Sequence, residues 1–206
     1  MTALAPDGRP LVGSVVRLDR TVAGDADEMF AALDDARVYA FGFGGGPAGR
    51  PPDVAAMRSV VLKTVTDTSR GRVAYTVRLV ADGALGGAGT VVGTSSLGDP
   101  SLPDERIHLG WTGYSPSVWG TAVNPECKLL LLTHCFEVCG FGRVKIQTDV
   151  LNARSQSAIA RLGAAREGVL RRHQVRADGT FRDTVVFSIL SSEWPATKAG
   201  LLPRLG

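Results

Sequence analysis

The stretch Tyr114-Ser-Pro-Ser-Val-Trp-Gly-Thr-Ala-Val-Asn-Pro-Glu-Cys-Lys128 joins the end of a strand-like segment to the start of a helix through a turn of small residues. Asn124 suits an N-cap, Pro125 the first helical position, and Glu126 complements the positive end of the helix dipole. Gly120, Thr121 and Ala122 are small enough for the backbone to approach a ligand closely. Free N–H groups at such a turn, backed by a helix N-terminus, form an anion site. The expected guest is a phosphate or pyrophosphate.

Downstream, the spacing predicts a nearly all-apolar helix from Asn124 to Cys139, stopped by Gly140. Val144–Asp149 alternates as a strand, and Asn152 caps a helix that ends at Gly163. Two further strands, near Gly168–Val175 and Phe181–Leu190, flank the hairpin signal Asp178-Gly179. Upstream, Arg106–Trp111 and Gly89–Ser95 are strands, as is the alternating run Val73, Tyr75, Val77, Leu79, which turns at Asp82-Gly83. The chain begins with a strand at Ser14–Leu18 and a helix at Ala26–Leu33, with Phe30 and Leu33 inward. A second helix runs from Asp53 through Val65. Between the helices lies a glycine- and proline-rich loop, Phe41 to Pro52. It lacks the Lys-Ser/Thr ending of a nucleotide P-loop, which excludes that motif. The order β-α-α-β-β-β-α-β-α-β-β describes an α/β fold, a mixed sheet of about seven strands with about four helices on its two faces.

At 206 residues the chain suits one domain with its own core. No apolar run reaches the roughly 18 residues that span a bilayer, so no membrane role is expected. The N-terminus has no apolar stretch of the kind a secretory signal needs. The three cysteines fall between Cys127 and Cys139 in one predicted helix. That is no disulfide framework, and it points to a reducing cytoplasm. A net charge of +3 is too small to call for nucleic acid and agrees with an anionic ligand.

This element order, with a phosphate-type turn between the fourth strand and the third helix, resembles the GNAT acyltransferase superfamily, and within it the RimJ/RimL type. The resemblance runs from Arg106 to Pro195. It is carried by His108-Leu-Gly-Trp111, Trp119-Gly-Thr-Ala-Val-Asn124, Asn152-Ala-Arg-Ser155, Ala160-Arg-Leu-Gly-Ala164, Gly168-Val-Leu-Arg-Arg-His173, Asp178-Gly-Thr-Phe-Arg-Asp183 and Glu193-Trp-Pro195. It implies a mostly antiparallel sheet and a single domain over residues 1–206, with short flexible ends at 1–10 and 196–206. It also implies acetyl-CoA as acyl donor (succinyl-CoA in some members), a primary amine as acceptor, and pairing of subunits as a homodimer in many relatives.

The family's pyrophosphate loop reads Arg/Gln, Gly, any, Gly, any, Gly/Ala. The corresponding residues are Trp119, Gly120, Thr121, Ala122, Val123 and Asn124, which the resemblance makes cofactor-binding. Trp119 and Asn124 look normal for the RimJ/RimL branch. Ala122 is the departure that matters: if its position required a positive φ, a Cβ there would cost about 1 kcal/mol and weaken acetyl-CoA binding.

Acyl transfer to an amine needs a neutral amine, placement, and a proton for the leaving thiolate. Strand alternation puts Arg106, His108 and Gly110 on one face and Ile107, Leu109 and Trp111 on the other. Glycine at 110 would open the first face to a ligand beside His108. A glutamate usually stands at this position in the family, and an imidazole with pKa near 6.5 can serve as general base in its place. The competing reading makes His108 a satisfied, half-buried strand histidine. Backbone N–H groups around Gly110 and Trp111 would polarise the thioester carbonyl. By resemblance, Asn152 contacts the pantetheine arm and Ser155 lies near the thiol, where it would act as acid. Asn152 is a helix cap on either reading. Many members place a tyrosine acid where this chain has Ile159. His134, Cys135 and Cys139 are read as small core residues rather than as metal ligands. The combined expectation is an N-acetyltransferase acting by direct transfer to a protein N-terminus or a small-molecule amine. The alternative is a non-catalytic CoA-binding or interaction module, for which Ala122 and the missing tyrosine would be the evidence.

Overall fold

The computed structural model describes residues 3–205. The short strand β1 (Leu11–Val12) leads into β2 (Val16–Arg20), and three helices follow: α1 (Ala26–Leu33), α2 (Ala36–Tyr39) and α3 (Val54–Thr66). Next come β3 (Val73–Leu79), β4 (Val91–Ser101), β5 (Arg106–Tyr114) and α4 (Val123–Thr133). The chain continues through β6 (Arg143–Asp149), α5 (Ala153–Ala160), β7 (Ala165–Val175), β8 (Phe181–Leu190) and α6 (Trp194–Leu201). All eight strands form one sheet, ordered β1-β2-β3-β4-β5-β6-β8-β7, in which only β5 and β6 pair in parallel. This is the mixed, mostly antiparallel GNAT-like sheet, with one strand more than the seven expected.

The two faces of β3 show why helices cover both sides. Tyr75 and Val77 point into the larger core, where Leu131 and Leu132 of α4 are fully buried. Each of those leucines contributes roughly 2 kcal/mol by leaving water. From the other face, Thr76 Oγ1 donates to Asp25 Oδ2 (2.6 Å) and Arg78 pairs with Asp25 Oδ1 (2.8 Å), which anchors the start of α1. Met29 and Leu33 of α1 then meet Met57 and Val61 of α3 in a smaller core, with Phe30 partly buried against it. Asp53 caps α3, its carboxylate accepting from Ala56 N at 2.8 Å.

Two expectations about the ends and caps are overturned. The segment expected to be a flexible end at 196–206 begins inside α6, which packs Trp194 and Leu201 into the main core. Proline is tolerated there because Pro195 falls in the first helical turn. At the other end, Ala3 is buried and Leu4 N bonds Cys139 O at 2.8 Å. Asn124 is not the N-cap of α4. The helix starts at Val123 with Ala122 as its cap, and no side chain caps it.

Glu126 stands in the first turn of α4, where the dipole favours it, and it does more than that. Its buried carboxylate accepts from Ser14 N (2.8 Å), Ser14 Oγ (2.7 Å), Val15 N (2.7 Å) and Val16 N (2.6 Å), and so holds the entry of β2. Gly13 makes room for it: a methyl group there would lie 2.4 Å from the carboxylate carbon.

Candidate active site

β5 and β6 pair only from Arg106↔Arg143 to Leu109↔Ile146. Beyond Leu109 the strands part, and β5 carries a bulge in which Trp111 and Thr112 together oppose Ser95 of β4. Trp111 has a φ of +49°, and the bulge bends its strand away from its neighbour. The gap holds a cavity of about 1380 Å³, lined by His108 through Tyr114 of β5 and Ile146 through Asp149 of β6. That exceeds the usual single small-molecule site, so there is room for two reactants side by side.

At one end of the cavity lies the turn from Trp119 to Asn124. Gly120 has a φ of +79° and open space where a Cβ would be. Thr121 Oγ1 donates to Val118 O (2.7 Å) and accepts from Val123 N (3.3 Å). Trp119 is held by its Nε1, which donates to Tyr114 O (3.0 Å), and the Arg154 guanidinium lies 3.5 Å from its ring centroid. Arg161 of the following turn and Arg204, beyond α6, also line this end. Over the whole cavity, eight Arg and Lys side chains face a single carboxylate, Asp149. The cavity is built for anions.

At the other end His108 is 4% exposed, with Nδ1 3.6 Å from Asp99 Oδ2 and its ring 4.7 Å from that of Trp111. Burial lowers its pKa below the ordinary 6.5; Asp99 opposes this, and the charges of Lys145 and Arg70 add to it. A methyl group at residue 110 would sit 2.5 Å from His108 Nε2. Gly110 therefore admits the imidazole, rather than leaving an empty face for a ligand.

The sequence matches the model of the acetyltransferase (GNAT) domain over residues 16–165. The chain belongs to the GNAT acetyltransferase family. No curated protein matches it. Among solved structures it is similar to a protein assigned as an acetyltransferase from T. thermophilus, with 33% identity, 98% of this chain and 100% of that one covered, and a TM-score of 0.85. A GCN5-related N-acetyltransferase from Brucella melitensis is 27% identical over 100% of this chain and 89% of its own, with a TM-score of 0.86. Mycobacterium smegmatis RimJ in complex with CoA-disulfide shares the fold, with 19% identity, 95% and 92% covered, and a TM-score of 0.74. As a GNAT enzyme the chain transfers an acyl group from acyl-CoA to an amine, and the cationic cavity suits that polyanionic donor.

Most of the site residues expected from the GNAT resemblance line this one cavity: His108, Gly110, Trp111, Trp119, Gly120, Thr121, Ala122, Asn124, Asn152 and Ser155. Val123 does not. Its side chain is in the core, and its N–H is engaged by Thr121. Ala122 has a φ of −66°, so the feared strain is absent; the left-handed residue of the loop is Gly120. Trp111 lies on the His108 face, contrary to simple alternation, because the bulge at its own position reverses the pleat. Asn152 caps α5, with Oδ1 accepting from Ser155 N (2.9 Å) and Nδ2 reaching Phe41 O (3.4 Å). Asp183 Oδ1 accepts from Arg172 N (2.8 Å).

Sequence reasoning missed Asp99, which faces His108 from β4, and Lys128. Lys128 is 6% exposed, donates to Thr112 Oγ1 (3.1 Å), and has no carboxylate partner among the described residues. Its pKa is pulled down to about 8 by burial. A lysine inside the apolar run of α4 was the available signal.

Proposed function

We propose that this GNAT enzyme is an acetyl-CoA-dependent N-acetyltransferase that acts by direct transfer, with His108 as general base. The observation that carries this reading is one continuous cavity between β5 and β6, with the buried His108, backed by Asp99, at one end and the glycine turn with its arginines at the other. When bound, acetyl-CoA supplies the activated acyl carbonyl. The N–H groups of Gly120, Ala122 and Asn124, which have no backbone partner among the described residues, together with Arg154 and Arg204 would hold its phosphates. Asn152 orients the pantetheine arm. The unpaired β6-facing edge of β5 at Gly110 and Trp111 polarises the thioester carbonyl.

His108 Nε2 takes the proton of the amine as the C–N bond forms and the C–S bond breaks. Asp99, on the Nδ1 side, stabilises the imidazolium. Ser155 delivers a proton to the leaving thiolate; its Oγ makes no hydrogen bond among the described residues. Ile159 stands where a tyrosine acid would be, and it lines the cavity as an apolar wall. Ala122 gives no support to a non-catalytic reading, since its backbone is relaxed.

Calorimetric titration with acetyl-CoA, succinyl-CoA and free CoA tests the donor. Micromolar binding is expected, with Asn152→Ala weakening it by about tenfold through one lost polar contact. Absence of binding to all three would refute the reading. His108→Ala is expected to lower kcat roughly tenfold to hundredfold. A base must be neutral, and burial holds this one below 6.5. Wild-type kcat should therefore fall as pH drops through a value under 6.5 and stay flat above it. The variant should lose that limb, and a profile unchanged by the substitution would remove His108 from the mechanism.

A further inference from the structure

The cations of the cavity are not all committed. Arg176 is paired with Asp149 (2.8 Å) and Arg70 with Asp99 (2.9 Å). Arg154, Arg161 and Arg204 flank the anion turn. That leaves two arginines without a carboxylate partner among the described residues: Arg72, against the Trp111 ring beside His108, and Arg182, near Asp149. Arg72 touches only Ser96 Oγ (3.0 and 2.9 Å) and the Trp111 ring, 4.7 Å from its centroid. The Arg182 side chain makes no hydrogen bond among the described residues, and its Nε is buried without a partner. Its neighbour Asp149 is already taken by Arg176 and by Leu151 N.

Burial has pulled Arg72 down to about 10 and lowered Arg182 as well. Neither charge has a carboxylate partner among the described residues, and a half-buried guanidinium without a counter-charge is costly unless a ligand completes it. Gln147 Oε1, an acceptor in the same cavity that suits an N–H donor, also lacks a partner, as do the His108 ring nitrogens and the Tyr114 hydroxyl.

The loop at 41–50 also bounds the cavity. Gly45 O accepts from Ala177 N (3.0 Å) and Phe41 O from Asn152 Nδ2 (3.4 Å), so the 41–50 loop lies across the β7–β8 turn. Gly49 packs on Gly44, and a methyl group there would meet Gly44 O at 2.0 Å. This loop covers part of the cavity mouth, which favours a small acceptor.

Building on the acetyl-transfer reading, we propose that the acceptor is a small primary amine carrying a carboxylate or phosphate, with the anion held by Arg72 and Arg182 and the amine directed by Gln147 toward His108. The reaction is R–NH2 plus acetyl–SCoA giving R–NH–acetyl plus CoA-SH, the amine proton ending on the thiol. Arg72 and Arg182 set specificity and Gln147 positions the nucleophile.

Matched probes test it: phenylalanine against phenethylamine for the carboxylate, phosphoethanolamine against ethanolamine for the phosphate, and a free-N-terminal hexapeptide. The readouts are thiol release and calorimetry of phosphate and succinate into CoA-saturated protein. At least one anionic amine is expected to exceed its neutral partner by about tenfold in kcat/KM, the scale of one charged hydrogen bond. Arg182→Gln, which breaks no internal bond, and Arg72→Gln should each remove that preference. They should also abolish phosphate or succinate binding while acetyl-CoA binding is retained. Equal or better use of neutral amines, preference for the hexapeptide, or no anion binding in a protein that does bind acetyl-CoA overturns the proposal alone. Failure to bind acetyl-CoA overturns the reading beneath it.

Discussion

Replacing Glu126 by alanine is expected to destabilise the protein by about 4 kcal/mol, several charged hydrogen bonds being lost together. The carboxylate is 3% exposed and accepts from three consecutive backbone N–H groups, those of Ser14, Val15 and Val16, and from the Ser14 hydroxyl. Hydrogen bonds to a charged group contribute about 1.5–3 kcal/mol each, and a buried donor left unmet carries a desolvation cost of its own. Alanine removes every acceptor at once, and Gly13 supplies no side chain to fill the gap. Glu126→Gln keeps the shape and one acceptor oxygen, so it should lose roughly half as much. Urea unfolding followed by circular dichroism measures both. An alanine variant within about 1 kcal/mol of wild type would mean that water replaces the carboxylate and that β2 is not pinned through it.

Two residues further along the helix the sign reverses. Lys128→Met is expected to stabilise the protein by roughly 3 kcal/mol at pH 7. Lys128 titrates at about 8 in the folded protein against an ordinary 10.5, and each unit is worth about 1.4 kcal/mol. Between those two values the unfolded chain holds the proton and the folded one does not. Stability of the wild type should therefore climb as pH rises from about 8 to 10.5, and the full cost of burying the charge stands below 8. Methionine fills the same volume with no charge to desolvate. Thr112 keeps Ser95 Oγ as a partner at 2.7 Å, so little is lost in exchange. The check is urea unfolding at about pH 7, 8.5 and 10, where the variant should lose the slope that the wild type shows. Parallel slopes would place the Lys128 ammonium in contact with water.

The elements whose signals are local were legible in advance. α1 occupies Ala26–Leu33 and β8 Phe181–Leu190, as their periodicity and the Asp178-Gly179 turn indicate. Asn152 caps α5 as its residue type suggests. α6 was not legible, because Pro195 and Gly200 look like breakers; Trp194 makes the helix worthwhile by stacking on Phe136 (ring centroids 5.5 Å apart) and donating to Glu137 Oε1 (2.6 Å). Trp111 was assigned to the wrong face because alternation assumes an unbroken pleat, and nothing in His108-Leu-Gly-Trp111 announces a bulge.

The order of elements, the turn from Trp119 to Asn124 and the strand bearing His108 were determined by the sequence by itself, since each is encoded by residues a few positions apart. Only the tertiary structure decided what the charged residues do. Glu126 meets Ser14 across 112 positions, Asp99 reaches His108 from the neighbouring strand, and Arg72 and Arg182 are left unpaired because Asp99 and Asp149 are spent on other arginines. Periodicity records which face a side chain takes, but the energy of a buried charge depends on its partner and on the water it loses. Both are properties of the assembled fold.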